Sequence, residues 1–386
     1  MWRHDISAHF IKILIISAIK NLGIQESSEK ERESMETLKI NETPRRTSRN
    51  FNINNIKLEN IEIPEKIEEF KNIEIKTSKA IVETKIDEFT LNYGLGEVLE
   101  NQVKKQSNKQ IKLVIDEKED ESIEITFHLD NQNVSLLENI EIVAKPNSKA
   151  TIIIKYLSDG NEKEYHNGII RTIAEENANI DIVLVNLVNT SSSNFLSIEN
   201  TLNKNSNIKY TIVDFGGKNS ITNYYSNLLG DEANNKLSTI YLGGKDQVFD
   251  INYIAELRGK KSNIDIDVQG ALKDNGKKNF KGTIDFKQGC KKSKGNESEY
   301  CMLLSDEAKA IALPMLLCTE HDVEGNHSTA SGKVDKSELF YIMSRGLSYK
   351  EAIKLIVKAR FNKIIDNIKN ENIKKEILEK IDEILN

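Results

Sequence analysis

The densest run of side chains able to hold a metal or move a proton is Cys318-Thr319-Glu320-His321-Asp322-Val323-Glu324-Gly325-Asn326-His327. Side chains alternate between faces on an extended strand, so Glu320 and Asp322 share one side and His321 takes the other. Cys318, Glu320 and Asp322 are then the set able to converge on one ion, and a transition metal would ask for such thiolate character. The plainer reading is a charged strand edge followed by a turn at Gly325-Asn326, with His327 a structural, hydrogen-bonding histidine. Cys290, Cys301 and Cys318 form no C-x-x-C pair. They suit a reducing cytosol better than a disulfide framework, and three thiols are too few for a four-thiolate cluster within one chain.

Other chemistries lack their signatures. The two Gly-Gly-Lys strings, 216–218 and 243–245, have neither the upstream glycine nor the following Ser/Thr of a phosphate-cradling loop, and each falls where a turn between strands is expected. No G-x-S-x-G elbow and no H-E-x-x-H is present. An energy-coupled role must therefore borrow its ATPase from another chain. Glycoside cleavage would need two carboxylates about 5 to 9.5 Å apart, for which Glu320 with Asp322 or Asp250 with Glu256 are the candidates. Such a secreted carbohydrate-active protein fits poorly with an aromatic content of 6%. The apolar segment Phe10–Ile19 is too short to span a bilayer, contains Lys12 and is followed by no convincing cleavage site.

The 386-residue chain has 30% charged residues and a net charge of −6. It lacks the concentrated basic face that nucleic acid or anionic membrane would require. A cytoplasmic, non-catalytic protein is the expectation. Met35 opens a natural-looking start, so residues 1–34 read as an N-terminal extension.

Three regimes of periodicity would have to position these residues. Residues 35–95 are polar and mixed, with Pro44 and Pro64 marking irregular entry segments, and read as a mixed or helical region. From about residue 96 to 332 the chain is a series of short alternating runs: Ile111–Ile115, Ile123–Leu129, Thr151–Leu157, Ile180–Leu187, Ile208–Phe215, Val248–Leu257 and Ile264–Val268. Their period of two and β-branched content predict half-buried strands. The runs recur about every 12 to 18 residues, too closely for helical crossovers. An antiparallel barrel or sandwich and a β-solenoid both remain compatible with that spacing. Residues 333–386 are helical. Asp335 and Ser348 each stand three residues before a glutamate, as capping boxes do, and Gly346 ends the first helix. Ala352, Leu355, Ile356, Ala359, Ile364 and Ile368 then recur at helical spacing, as do Ile373, Ile377, Ile381, Ile384 and Leu385.

The stretch from Leu303 to Ala359 carries a more specific pattern. Leu303-Leu304-Ser305 is followed by Asp306, by Pro314 eight residues later, and by Asp322-Val323 with His327. Gly332, Val334 and Asp335 then lead into Leu339-Phe340-Tyr341, Ser344-Arg345-Gly346 and a Glu351-Ala352 helix. This string resembles the C-terminal core signature of the SufB/SufD family of the SUF iron–sulfur cluster assembly system. Phe280-Lys281-Gly282-Thr283-Ile284 and Pro44-Arg45-Arg46-Thr47 resemble further family segments, so the likeness extends from about residue 40 to the end.

The resemblance implies a mainly β fold: a right-handed parallel β-helix core with small α-helical regions at both ends. It implies a scaffold that pairs with a SufB-like subunit, or with itself, through the β-helix and binds a SufC-like ABC ATPase through its C-terminal helices. Leu339, Phe340, Tyr341, Arg345, Glu351 and Leu355 would then be partner-binding residues. His327-Ser328-Thr329-Ala330 stands where SufB proteins carry His-Glu-Ala-Thr and SufD proteins His-Gly-Ala-Thr. The missing glutamate points to the SufD side. His327 is the residue carried over as a candidate ligand for iron or an iron–sulfur intermediate, held transiently at the subunit interface with no tightly bound cofactor. The family's sulfur-transfer cysteine falls at Glu299, and Cys301 lies two residues away. A SufB-like homodimer accepting sulfur directly on Cys301 is the alternative.

Overall fold

The structure, a computed structural model, describes residues 37–45 and 53–386. The extension 1–34 with its apolar segment, and Arg46-Thr47, lie outside the described residues. The chain divides into two compact units, residues 1–39 with 57–62 and residues 40–56 with 63–386. Two short strands, β1 (Leu38–Ile40) and β2 (Ile56–Leu58), pair with each other. The larger unit is a parallel β-solenoid of about eight turns.

One sheet of the solenoid holds β3 (Ile73–Lys76), β6 (Ile123–Leu129), β8 (Lys149–Ser158), β10 (Asn179–Leu187), β12 (Asn207–Asp214), β14 (Asn234–Gly243), β16 (Asn263–Leu272), β18 (Ser293–Leu303) and β20 (Val323–Lys333), in that hydrogen-bonded order. The other holds β4 (Ile81–Glu83), β5 (Lys109–Ile115), β7 (Ser135–Ala144), β9 (Tyr165–Ala174), β11 (Ser193–Leu202), β13 (Asn219–Leu228), β15 (Val248–Leu257), β17 (Lys277–Phe286) and β19 (Lys309–Cys318). From β5 onward successive strands fall in opposite sheets because each connection is too short for anything but a corner. Strands one coil apart pair parallel and in register, as with Asn179 on Asn207 and Asn263 on Lys294. Identical register stacks like on like, and the lumen fills with columns of Ile, Leu and Tyr. One corner recurs with a residue at positive φ, including Asn147, Asn177 and Asn205, a conformation asparagine tolerates. Their amides form a ladder, Asn205 donating to Asn177 at 2.7 Å and Asn177 to Asn147 at 3.0 Å.

The two ends of the solenoid differ. At the first coil, β3 and β4 pair antiparallel with β6 and β5 and cover those edges. The stretch 35–95, expected as mixed or helical, carries no helix among its described residues, because its short extended pieces serve as these edge covers. The first described helix is α1 (Glu97–Gln106), which buries Leu99, Gln102 and Val103. At the last coil, β19 and β20 end their sheets, and nearly all of β20 is exposed.

Three helices close the chain: α2 (Lys336–Ser344), α3 (Tyr349–Ile365) and α4 (Glu371–Ile384). The outer face of one sheet presents Ile153, Val183, Val185, Val213, Ile240 and Leu242, and α3 and α4 cover it. Phe361 of α3 stacks on Phe215 at 6.3 Å between ring centroids. This explains why β10 and β14 are buried on both faces rather than alternating. It also corrects the buried side read for α3. Ile353, Val357, Phe361 and Ile365 face the sheet beside Ala352 and Ile364, while Leu355 and Ala359 are exposed. The choice between two possible apolar stripes rests with the sheet that receives the helix, not with the helix.

Candidate functional site

His327 lies on β20, and its setting follows from strand register. The lumen-facing column through the sheet reads Ile123, Ile152, Ile182, Tyr210, Leu237, Ile266, Glu297, His327. Eight strands stack the same face in line, each about 4.8 Å from the next. The column is apolar or aromatic until its last two members. A Cβ built on Gly325 would meet Phe286 and Leu316, so the odd-numbered residues of β20 face the lumen side. His327 therefore stands over Glu297 at the open end, exposed, whereas Glu297 is only 2% exposed.

Below His327 the lumen is polar. Lys278 Nζ donates to Glu299 Oε1 at 2.7 Å and Tyr241 OH donates to the same oxygen at 3.2 Å. Both Glu297 oxygens and Glu299 Oε2 have no hydrogen-bond partner among the described residues. Burial, with the Glu299 carboxylate beside it, pushes Glu297 up to about 8. Gly282 makes the position possible: a Cβ there would sit 2.3 Å from the Glu297 carboxyl carbon. That is the physical content of the Phe280-Lys281-Gly282 string. Sequence reading missed Lys278, Glu297 and Glu299 because both strands that carry them are largely polar. The available signal was the alternation of Glu297 and Glu299 with Ser298.

Several expectations change. Gly325-Asn326 is no turn; both residues lie inside β20, Gly325 stacking on Gly295 against the Phe286 ring. The set Cys318, Glu320 and Asp322 is no metal shell. Glu320 accepts backbone N–H groups of Gly289 at 2.9 Å and His321 at 2.8 Å, and Cys318 Sγ donates to the Glu320 carbonyl. Among the described residues no three His, Cys, Asp or Glu side chains converge on one point. The glycosidase pairs fail too. Asp250 is a buried partner of Lys281, and Glu256, on the same strand, is taken up by Tyr225, Arg258 and Lys287. Cys301 is fully buried, and burial pushes its thiol up to about 11. It offers no surface thiolate, the reactive form of cysteine.

The second feature is an apolar surface on α2 and α3. Phe340 is 74% exposed, Tyr341 58%, Tyr349 53% and Leu355 48%, and α2 buries none of its residues. Both helices are firmly begun. Asp335 accepts from the N–H groups of Ser337 and Glu338, and Ser348 with Glu351 forms a reciprocal capping box. Arg345 donates to Tyr341 OH at 3.0 Å and lies over its ring. Of the six residues read as partner-binding, Phe340, Tyr341, Arg345 and Leu355 are presented outward. Leu339 packs partly against the helix–sheet core, and Glu351 is spent as a cap, its carboxyl held low by Ser348. Exposed aromatic patches of this kind mark interaction surfaces.

Comparison with known proteins finds one family and several relatives. Residues 127–360 match the SufBD core domain of the SUF system for FeS cluster assembly. The chain is similar to the iron-sulfur cluster assembly protein SufD of Bacillus subtilis, 24% identical over 262 residues, which are 67% of this chain and 60% of that protein. It is 32% identical over 168 residues to a SufBD family protein of Pyrococcus horikoshii, covering 43% of this chain and 36% of the relative. A Staphylococcus saprophyticus SufBD family protein is 23% identical over 245 residues, 62% of this chain and 51% of the relative. The matched part thus spans between about a third and three-fifths of these relatives' own lengths.

Proposed function

The chain belongs to the SufBD family of the SUF iron–sulfur cluster assembly system, and on that premise we propose that it is a SufD-type scaffold without turnover of its own. In this reading it works in the cytoplasm. The open last coil pairs with a SufB-like subunit, and α2 with α3 receives a SufC-like ABC ATPase. The observation that carries the proposal is the contrast between covered and uncovered surface. The first coil has its edges capped and one outer face is roofed by helices, yet β19, β20, α2 and the outer side of α3 are left open.

Two strand edges of ten and eleven residues, unpaired among the described residues, form a template for adding another strand. The aromatic pair Phe340 and Tyr341 supplies the kind of side chain that dominates binding energy at protein interfaces. The apolar patch and the strand edge lie on different elements, which suits two separate partners. His327, at the mouth of the lumen, is the candidate ligand for iron or an iron–sulfur intermediate, held as cargo between the subunits.

The test is co-purification with a SufC-like ATPase and a SufB-like subunit expressed alongside. Leu355→Asp and Phe340→Asp should each release the ATPase and leave the SufB-like subunit bound. His327→Ala should leave both partners bound while cluster supply falls in cells dependent on this pathway. Retention of the ATPase by both charged variants would overturn the docking assignment. Unimpaired cluster supply would remove the ligand role of His327.

A further inference from the structure

Glu297 has no structural explanation in the solenoid. A carboxyl group 2% exposed with neither oxygen hydrogen-bonded among the described residues is a cost the fold carries, since buried polar groups are normally paired. Neither tight packing nor an ion pair accounts for it. Lys278, a buried cation, is engaged with Glu299, and Gly282 across the lumen leaves the room that Glu297 fills. The same register position holds Ile266 one coil below, so an apolar side chain suits the column.

What distinguishes position 297 is its neighbour. It is the register partner of His327, one strand away and on the same face, at the end of the solenoid where the lumen meets solvent. We propose that Glu297, by turning its carboxyl from Gly282 toward the open end, becomes a second protein ligand for a divalent metal ion bound by the His327 imidazole. This rests on the reading of His327 as a ligand and adds an oxygen donor to it. Imidazole and carboxylate together suit a divalent first-row ion better than a soft thiophile. The pair supplies two donors, so water or a partner subunit completes the shell. Glu299 Oε2, also unpartnered, lies on the same face one position further along β18.

The probe is Co2+, whose visible absorption reports its ligands, titrated into the purified full-length chain. Wild type should bind with an absorption band that both His327→Ala and Glu297→Gln alter. Glu297→Gln should weaken binding at least about tenfold, the loss that even an indirect supporting group causes. Gln is isosteric and cannot ionise in the buried site, so the same variant should melt no lower than wild type; this separates ligation from folding. Three results overturn the proposal. If His327→Ala weakens binding and Glu297→Gln does not, Glu297 is no ligand while the His327 reading stands. If neither variant changes binding, the ion sits elsewhere and both readings fall. No saturable Co2+ binding by wild type also removes both.

Discussion

The strongest single test of how the segment beginning at residue 40 is held concerns Lys281 and Asp250. Both side chains are 1% exposed and in contact. Lys281 also donates to the Asn41 carbonyl at 2.8 Å. Asp250 accepts from Asn41 Nδ2 at 2.7 Å and from Asn279 Nδ2 at 3.2 Å. The ion pair thus pins the segment beginning at residue 40 onto β15 and β17. Lys281→Met strands a buried carboxylate among neutral amides and should cost about 3–5 kcal/mol, and Asp250→Leu should cost a similar amount by stranding the ammonium. Replacing both removes the unpaired charge altogether. What remains is the loss of the carboxylate acceptor for Asn279 Nδ2 and of the Lys281 donor to the Asn41 carbonyl, about 1–3 kcal/mol, while Asn41 Nδ2 keeps the Thr222 and Asp250 carbonyls at 3.2 Å. Additive singles would sum to about 6–10 kcal/mol, so the double variant should show a coupling of at least about 3 kcal/mol. Urea unfolding followed by circular dichroism measures the three values, and hydrogen exchange should report lost protection at residues 40–43 in each single variant. A Lys281→Met cost below about 1 kcal/mol, or a double variant equal to the sum, would refute the reasoning.

Further outcomes follow from the same structure. Burial pushes Glu164 up to about 7 and Asp214 up to about 6. Each holds its proton more tightly folded than unfolded. Below about pH 4 both states are protonated and nothing is lost, and as pH rises toward about 7 the unfolded chain ionises first and stability falls. Urea midpoints between these limits should show that slope, and Glu164→Gln with Asp214→Asn should flatten it. Phe340→Asp and Leu355→Asp, both on exposed positions, should shift stability by no more than about 0.5 kcal/mol. ATPase affinity should meanwhile drop by about 2 kcal/mol or more, roughly thirtyfold, in calorimetric titration. Cys301→Ser should leave the chain's labelling by a sulfur donor unchanged, because the buried thiol is not presented; loss of label would reopen direct sulfur acceptance.

The helical end was legible almost to the residue. Caps at Asp335 and Ser348 act through local hydrogen bonds, so spacing alone reveals them. The strands were legible where Ile and Val alternate, as in β6 and β8, and illegible where they do not. β11 and β13 are rich in Asn and Ser yet wholly ordered, since coil-on-coil pairing satisfies their backbones and buries Asn194, Asn200 and Asn223. His327 was found through a family string. Its partner Glu297 was not, because thirty residues of chain separate two side chains that register makes neighbours.

The order and type of the main elements, the caps and the candidate ligand histidine were thus written in the sequence, because each depends on residues a few positions apart. Which stripe of α3 is buried, which coil is left uncovered and which carboxylate lies beneath His327 were decided by tertiary structure alone. In a solenoid, contacts are set by the number of residues per coil rather than by sequence proximity. A column of neighbours appears only once the coils are stacked.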